Sequence, residues 1–155
     1  MAIEVLGVEH IDLTVNDVAR SRAFFDKVLG ELGFRKFDRT DYIFWANAQM
    51  TIAIREASAA NRDARFDRYR VGLHHLAFRA RSRADVDAFH GFLVRERIEV
   101  LDAPAEYPQY GENYYAVFFA DPERMKLELV HNPWGYWRRV QTEGHDPRPR
   151  YELKK

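Results

Sequence analysis

The sequence predicts an α+β fold built from two βαβββ repeats, and three observations predict it. First, the chain repeats itself: in "GVEHIDLTV" (7–15) and "GLHHLAFRA" (72–80), Gly7 falls on Gly72 and His10 on His75, 65 residues on. The register carries into the next segment, where Phe24 meets Phe89 and Val28 meets Leu93, the mark of a duplicated supersecondary unit. Second, each copy passes from an alternating, strand-like run into an amphipathic helix with its own start signal. Third, three short strand candidates follow each helix.

In the first copy, Asn16 or Asp17 caps a helix whose Val18, Phe25, Val28, Leu29 and Leu32 share one face, and Gly33 ends it. "FRKF", "YIFWANA" and "MTIAIRE" then read as strands. In the second copy Ser82 caps with Asp85 three residues on, and Val86, Phe89 and Leu93 form the stripe. His90 stands there in place of Phe25, in a structural role. "IEVL", "YYAVFFA" and "MKLELVH" follow as strands. The loop "DAPAEYPQYGE" (102–112) is longer than its counterpart and reads as a Pro-stiffened hairpin connection, with Tyr107 and Tyr110 able to close over a cavity. Beyond it the offset grows, so that Met50 matches Met125 and Ala53 matches Glu128, 75 residues on.

The repeats thus span about 5–56 and 72–131, joined by a linker at 57–71. Asp63 and Asp67 alternate there with arginines, which favours a solvated linker over an anion-binding stripe. Residues 1–133 are read as a single domain and 134–155 as a C-terminal arm packed by Trp134, Tyr136 and Trp137.

A chain of 155 residues with 46% apolar and 14% aromatic content can bury a core without staples. Lys and Arg (24) balance Asp and Glu (24), which argues against a nucleic-acid partner. No apolar run is long enough to cross a bilayer, and the N-terminus shows no export signal, so a cytoplasmic protein with no membrane partner is expected. With no cysteine, any metal must be held by histidine and carboxylate.

The repeat selects such a set. His75, not His74, is the mate of His10, and neighbours on a strand point to opposite faces, so His74 is expected to look away. If the two sheets share a cavity, both imidazoles converge there. Glu128, flanked by Leu127 and Leu129, brings a carboxylate from an equivalent strand, with Lys126 and Val130 on its face. Two imidazoles and one carboxylate form a facial set with open positions for substrate or oxygen. Asp12, on the face of His10, is a candidate base or partner to an imidazole. Tyr114 is a candidate hydroxyl donor to substrate, and Phe118, of the same parity, a candidate substrate wall.

The stretches "EHIDLTVNDVARSRAFFDKVLGELGF", "HHLAFRA" and "FFADPERMKLELVH" together resemble the vicinal oxygen chelate superfamily, which includes glyoxalase I, fosfomycin resistance proteins, extradiol dioxygenases and bleomycin resistance proteins. The resemblance covers residues 5–131. It implies a glyoxalase-like fold, two βαβββ units forming a curved mixed sheet around a metal cavity, often in a homodimer. The family's four ligand positions fall on His10, Ala53, His75 and Glu128. An alanine at 53 disfavours the glyoxalase and epimerase reactions, which use a side chain there. The remaining two His and one Glu are similar to extradiol dioxygenases and fosfomycin enzymes. Each of those tends to carry a tyrosine where Phe118 stands. The glutathione-using fosfomycin enzymes also have a threonine at the position of Asp12 and a serine-rich loop that "AEYPQYGENYY" lacks.

The expectation is a metal-dependent enzyme acting on a small oxygenated or aromatic molecule, with dioxygenase-like chemistry ahead of a non-redox lyase or isomerase. Fe(II) or Mn(II) is the favoured ion, with Zn, Ni and Co compatible. The alternative is a metal-free drug- or metabolite-binding protein of the bleomycin-resistance kind.

Overall fold

Each repeat folds into its own four-stranded mixed sheet carrying one helix. The structure is a computed structural model and describes residues 7–39, 42–62 and 64–133. The first module holds β1 (His10–Val15), α1 (Val18–Glu31), β2 (Arg35–Arg39), β3 (Tyr42–Ala46) and β4 (Thr51–Glu56). The second holds β5 (Leu76–Arg79), α2 (Arg83–Arg95), β6 (Val100–Glu106), β7 (Tyr115–Ala120) and β8 (Lys126–His131). The sheet orders are β1-β4-β3-β2 and β5-β8-β7-β6, the same topology twice, with the first and last strands of each module parallel.

The helix signals work as read, with one choice settled. Asp17 caps α1, accepting from the Arg20 amide at 2.9 Å, while the Asn16 carboxamide reaches the Ala64 carbonyl and Glu123. Ser82 and Asp85 form a reciprocal capping box on α2. Gly33 takes the left-handed conformation that ends α1 (φ 82°). Arg97 takes it after α2 (φ 56°), without glycine's freedom.

Alternation along the strands sends Leu13, Val15, Trp45, Ile52 and Ile54 of one sheet, and Phe78, Phe119, Leu127 and Leu129 of the other, into a single core with both helices. The modules therefore meet on their helix-bearing sides. Phe34 and Phe78 pack edge-on (6.1 Å), Lys27 pairs with Glu96 (2.9 Å), and Glu123 accepts from the Asn16 backbone and side chain (3.1 and 2.9 Å). A cleft of about 490 Å³ at this junction is lined by Leu13, Val15, Phe66, Leu73 and Met125; neither His75 nor Glu128 lines it.

The repeat extends to the tight turns before the last strands. In module one the Asn47 side chain accepts from the Met50 amide (3.0 Å); in module two Asp121 accepts from Met125 (2.7 Å). Asp121 is buried, and burial pushes its carboxyl up to about 6 against the hydrogen bonds that stabilise its charge.

Two expectations change, and one lies out of reach. The strand read over "GLHHLAFRA" begins only at Leu76, so the double histidine lies before it and strand alternation does not separate the two rings. The loop from Asp102 is in part strand: β6 runs on through Pro104 to Glu106, with register shifts where β6 meets β7. Such irregular pairing tolerates a proline that a regular central strand would not. The arm with Trp134, Tyr136 and Trp137 lies outside the described residues. Among the described residues, no helix is long and apolar enough to cross a membrane.

Candidate active site

Glu128 anchors the site. On β8, Leu127 and Leu129 enter the core, so Glu128 projects from the helix-free face, yet it is 1% exposed. A buried carboxylate with no partner costs several kcal/mol, and this one has two. The Tyr114 hydroxyl donates to Oε1 at 2.6 Å, and His75 Nε2 lies 3.2 Å from Oε2. Tyr114 is itself buried, so its hydroxyl is committed to Glu128 rather than exposed at a rim. Across the sheet Glu128 is paired with Ala77 on one side and with Phe118 on the other.

His75 reaches Glu128 from the segment preceding β5. Burial holds its pKa below the usual histidine value, opposed by the Glu128 charge. Its Nδ1 lies 2.8 Å from Nδ1 of His74, and the rings meet edge-on at 5.0 Å. His74 thus does not look away; it is the partner that orients His75 through the nitrogen not facing Glu128.

Metal bonds of about 2.0–2.2 Å set neighbouring donors on one ion roughly 2.8–3.6 Å apart. The Nε2–Oε2 separation of 3.2 Å falls in that range, so this pair fits two adjacent positions on a divalent ion.

The structure does not bring His10 to that pair. It opens β1 on the first sheet, with its side chain 60% exposed and Nδ1 2.7 Å from Glu9. Among the described residues, no three histidines or carboxylates are grouped to hold an ion within one chain. Asp12 shares the face of His10 and is fully engaged: Arg55 Nε donates to it at 2.7 Å and the Tyr42 hydroxyl at 3.3 Å. The Arg55 hydrogen bond holds the Asp12 carboxyl below its usual range, whereas burial and the Asp12 charge push the Tyr42 phenol up. The register pairs Asp12 with Ala53, as Ala77 pairs with Glu128, so the equivalence of Ala53 and Glu128 holds. Ala53 is wholly buried beside Asp12.

Phe118 is 3% exposed. Lys126 Nζ lies 3.6 Å from its ring centroid and Tyr107 packs on it edge-on at 5.2 Å. Tyr110 packs on Tyr114, so the loop after β6 folds over this face. Sequence reasoning missed Tyr42, Arg55 and His74. Strand parity with Asp12 would have found Arg55, two residues beyond Ala53; nothing local would have found His74.

Comparison with known proteins places this architecture. The family model for the Glyoxalase/Bleomycin resistance protein/Dioxygenase superfamily matches residues 7–129, and the chain belongs to that superfamily. The uncharacterized protein YqjT of Bacillus subtilis (strain 168) is 36% identical over 124 residues, covering 79% of this chain and 97% of that protein. A solved glyoxylase/bleomycin resistance protein/dioxygenase domain from Frankia sp. EAN1pec superimposes with a TM-score of 0.66 at 24% identity, over 83% of this chain and 99% of that one. The fosfomycin resistance protein FosX of Listeria monocytogenes gives 0.62 at 21% identity, over 83% and 95%. At these identities the solved structures establish the fold alone.

Proposed function

We propose that this chain is a metal-dependent enzyme acting on a small oxygenated or aromatic molecule, and that its site is completed between two copies. His75 and Glu128 would hold a divalent ion, Fe(II) or Mn(II) in preference, and His10 of the partner subunit would supply the third donor. The observation that carries this reading is the buried Glu128, held by Tyr114 through one oxygen and turned by the other toward His75 Nε2. The ion, when bound, supplies Lewis acidity and, as Fe(II), oxygen activation.

The chain's own groups set the rest. Tyr114 keeps one Glu128 oxygen occupied, so the carboxylate offers the other. Phe118, buried beside the pair, backs the site from beneath. Asp12 would come with His10 on the first sheet, its carboxylate held by Arg55 and Tyr42. The two-His, one-Glu set favours dioxygenase-like ring cleavage over a non-redox lyase or isomerase.

The test is metal content after anaerobic, chelator-free purification, followed by oxygen uptake with catechols. His10→Ala, His75→Ala and Glu128→Ala should each lose the ion. Mixing the His10→Ala and Glu128→Ala proteins should restore about a quarter of the sites, since half the dimers are mixed and each has one intact site. A metal-free wild type would favour a ligand-binding protein instead.

A further inference from the structure

Glu128 has a charged neighbour that neither the fold nor the ion pairs account for. Lys126 precedes it by two residues on β8 and shares its helix-free face. Its ammonium stands over Phe118, the residue that pairs with Glu128 across β7 and β8. Among the described residues Lys126 makes no ion pair, and the Phe118 ring is the partner its ammonium has. Asp102, which pairs with Phe118 from the other side, is exposed on the edge strand β6 and is not joined to it.

A ring face holds an ammonium in place without neutralising it. The donors of Nζ that do not face the ring remain available on the side where substrate would lie. Around it Ala77, Ala116, Phe118 and Val130 are apolar and Tyr107 adds an uncharged phenol, so Lys126 is the cation an anion bound on this face would meet.

We propose that Lys126 forms an anion subsite and that the ligand pairs a metal-chelating set of oxygens with a carboxylate or phosphate group. This rests on the reading of His75 and Glu128 as metal ligands, but the anion subsite itself can be tested without the metal.

The test compares 3,4-dihydroxybenzoate with 3,4-dihydroxybenzamide, which share a chelating catechol and differ in the anionic group. Binding is measured anaerobically by calorimetry on metal-loaded and metal-free protein, with metal content recorded for each variant. Wild type should prefer the acid by roughly tenfold, the scale of a charge-assisted contact. Lys126→Met, which keeps the stem on Phe118, should abolish that preference and leave amide binding and metal content unchanged. Lys126→Arg should restore it. If wild type holds no metal, the metal reading fails, and the acid-over-amide ratio of the metal-free protein still decides the subsite. No preference in wild type, no binding of either probe, or equal loss of both in Lys126→Met overturns the proposal.

Discussion

The helix-free faces of the two modules come from one duplicated pattern and have been filled in opposite ways. In module one the carboxylate stands on the first strand (Asp12) with alanine opposite it (Ala53); in module two alanine stands on the first strand (Ala77) with the carboxylate opposite (Glu128). Asp12 is neutralised by a surface arginine and a tyrosine, and Phe37 on the same face is left 42% exposed in a stack with Phe44. Glu128 is sealed under Tyr114, with Phe118, Tyr107 and Tyr110 packed around it. One face is open and self-neutralised; the other is closed around a carboxylate aimed at an imidazole. The same backbone register therefore supports both arrangements, and the strand that carries the carboxylate, with the partners it meets there, separates them.

Forcing module one toward the pattern of module two should have the largest effect. Ala53→Glu places a carboxylate at a wholly buried position beside Asp12, and we expect a loss of about 3–5 kcal/mol in urea unfolding. Adding Asp12→Ala should recover part of it; a double variant no more stable than Ala53→Glu would mean that Asp12 is not the opposing charge.

The turns offer the next contrast, since Asn47 does without charge what Asp121 does with it. Asp121 has a folded pKa of about 6, above its unfolded value of 3.8. Its contribution to stability is therefore full below pH 4 and is lost as pH rises through 6. Asp121→Asn should remove that slope and raise stability at pH 7 by roughly 2–3 kcal/mol. Thermal unfolding between pH 4 and 7 is the measurement, and parallel profiles for both proteins would refute the assignment.

Removing the lid from Glu128 comes third. Tyr114→Phe strands one carboxylate oxygen in a buried setting, at a cost of about 1–3 kcal/mol. A variant as stable as wild type would show that Glu128 finds its partner elsewhere. The smallest effect belongs to the open face. Arg55→Met should cost under about 1 kcal/mol, since the pair is partly exposed. Because Arg55 lowers the Asp12 pKa, that small contribution is present above the ordinary carboxylate range and fades as pH falls through the lowered value. A loss of equal size at acid pH would count against it.

Most of the fold was legible because a duplication supplies its own alignment. Gly7 with Gly72, Met50 with Met125 and Ala53 with Glu128 gave the element order and the residue-by-residue match of the two modules; the strand order and cross-strand register come from the structure. What could not be read was which faces the modules turn toward each other. Periodicity marks Leu13 and Phe78 as buried, but not that they enter one shared core and so leave His10 apart from His75. The double histidine was misread for a local reason. Strand alternation was applied to residues that precede the strand, where the chain is free to lay two rings together.

The contacts that join the modules within one chain, Phe34 on Phe78 and Glu123 on Asn16, carry a consequence for any assay. They are tethered by residues 57–75, so their formation is unimolecular and indifferent to dilution. A third ligand arriving from the partner subunit obeys mass action instead. On the proposed reading, serial dilution would bleed away turnover per chain while circular dichroism stayed constant, and the concentration at half-activity would report the dissociation constant of the pair.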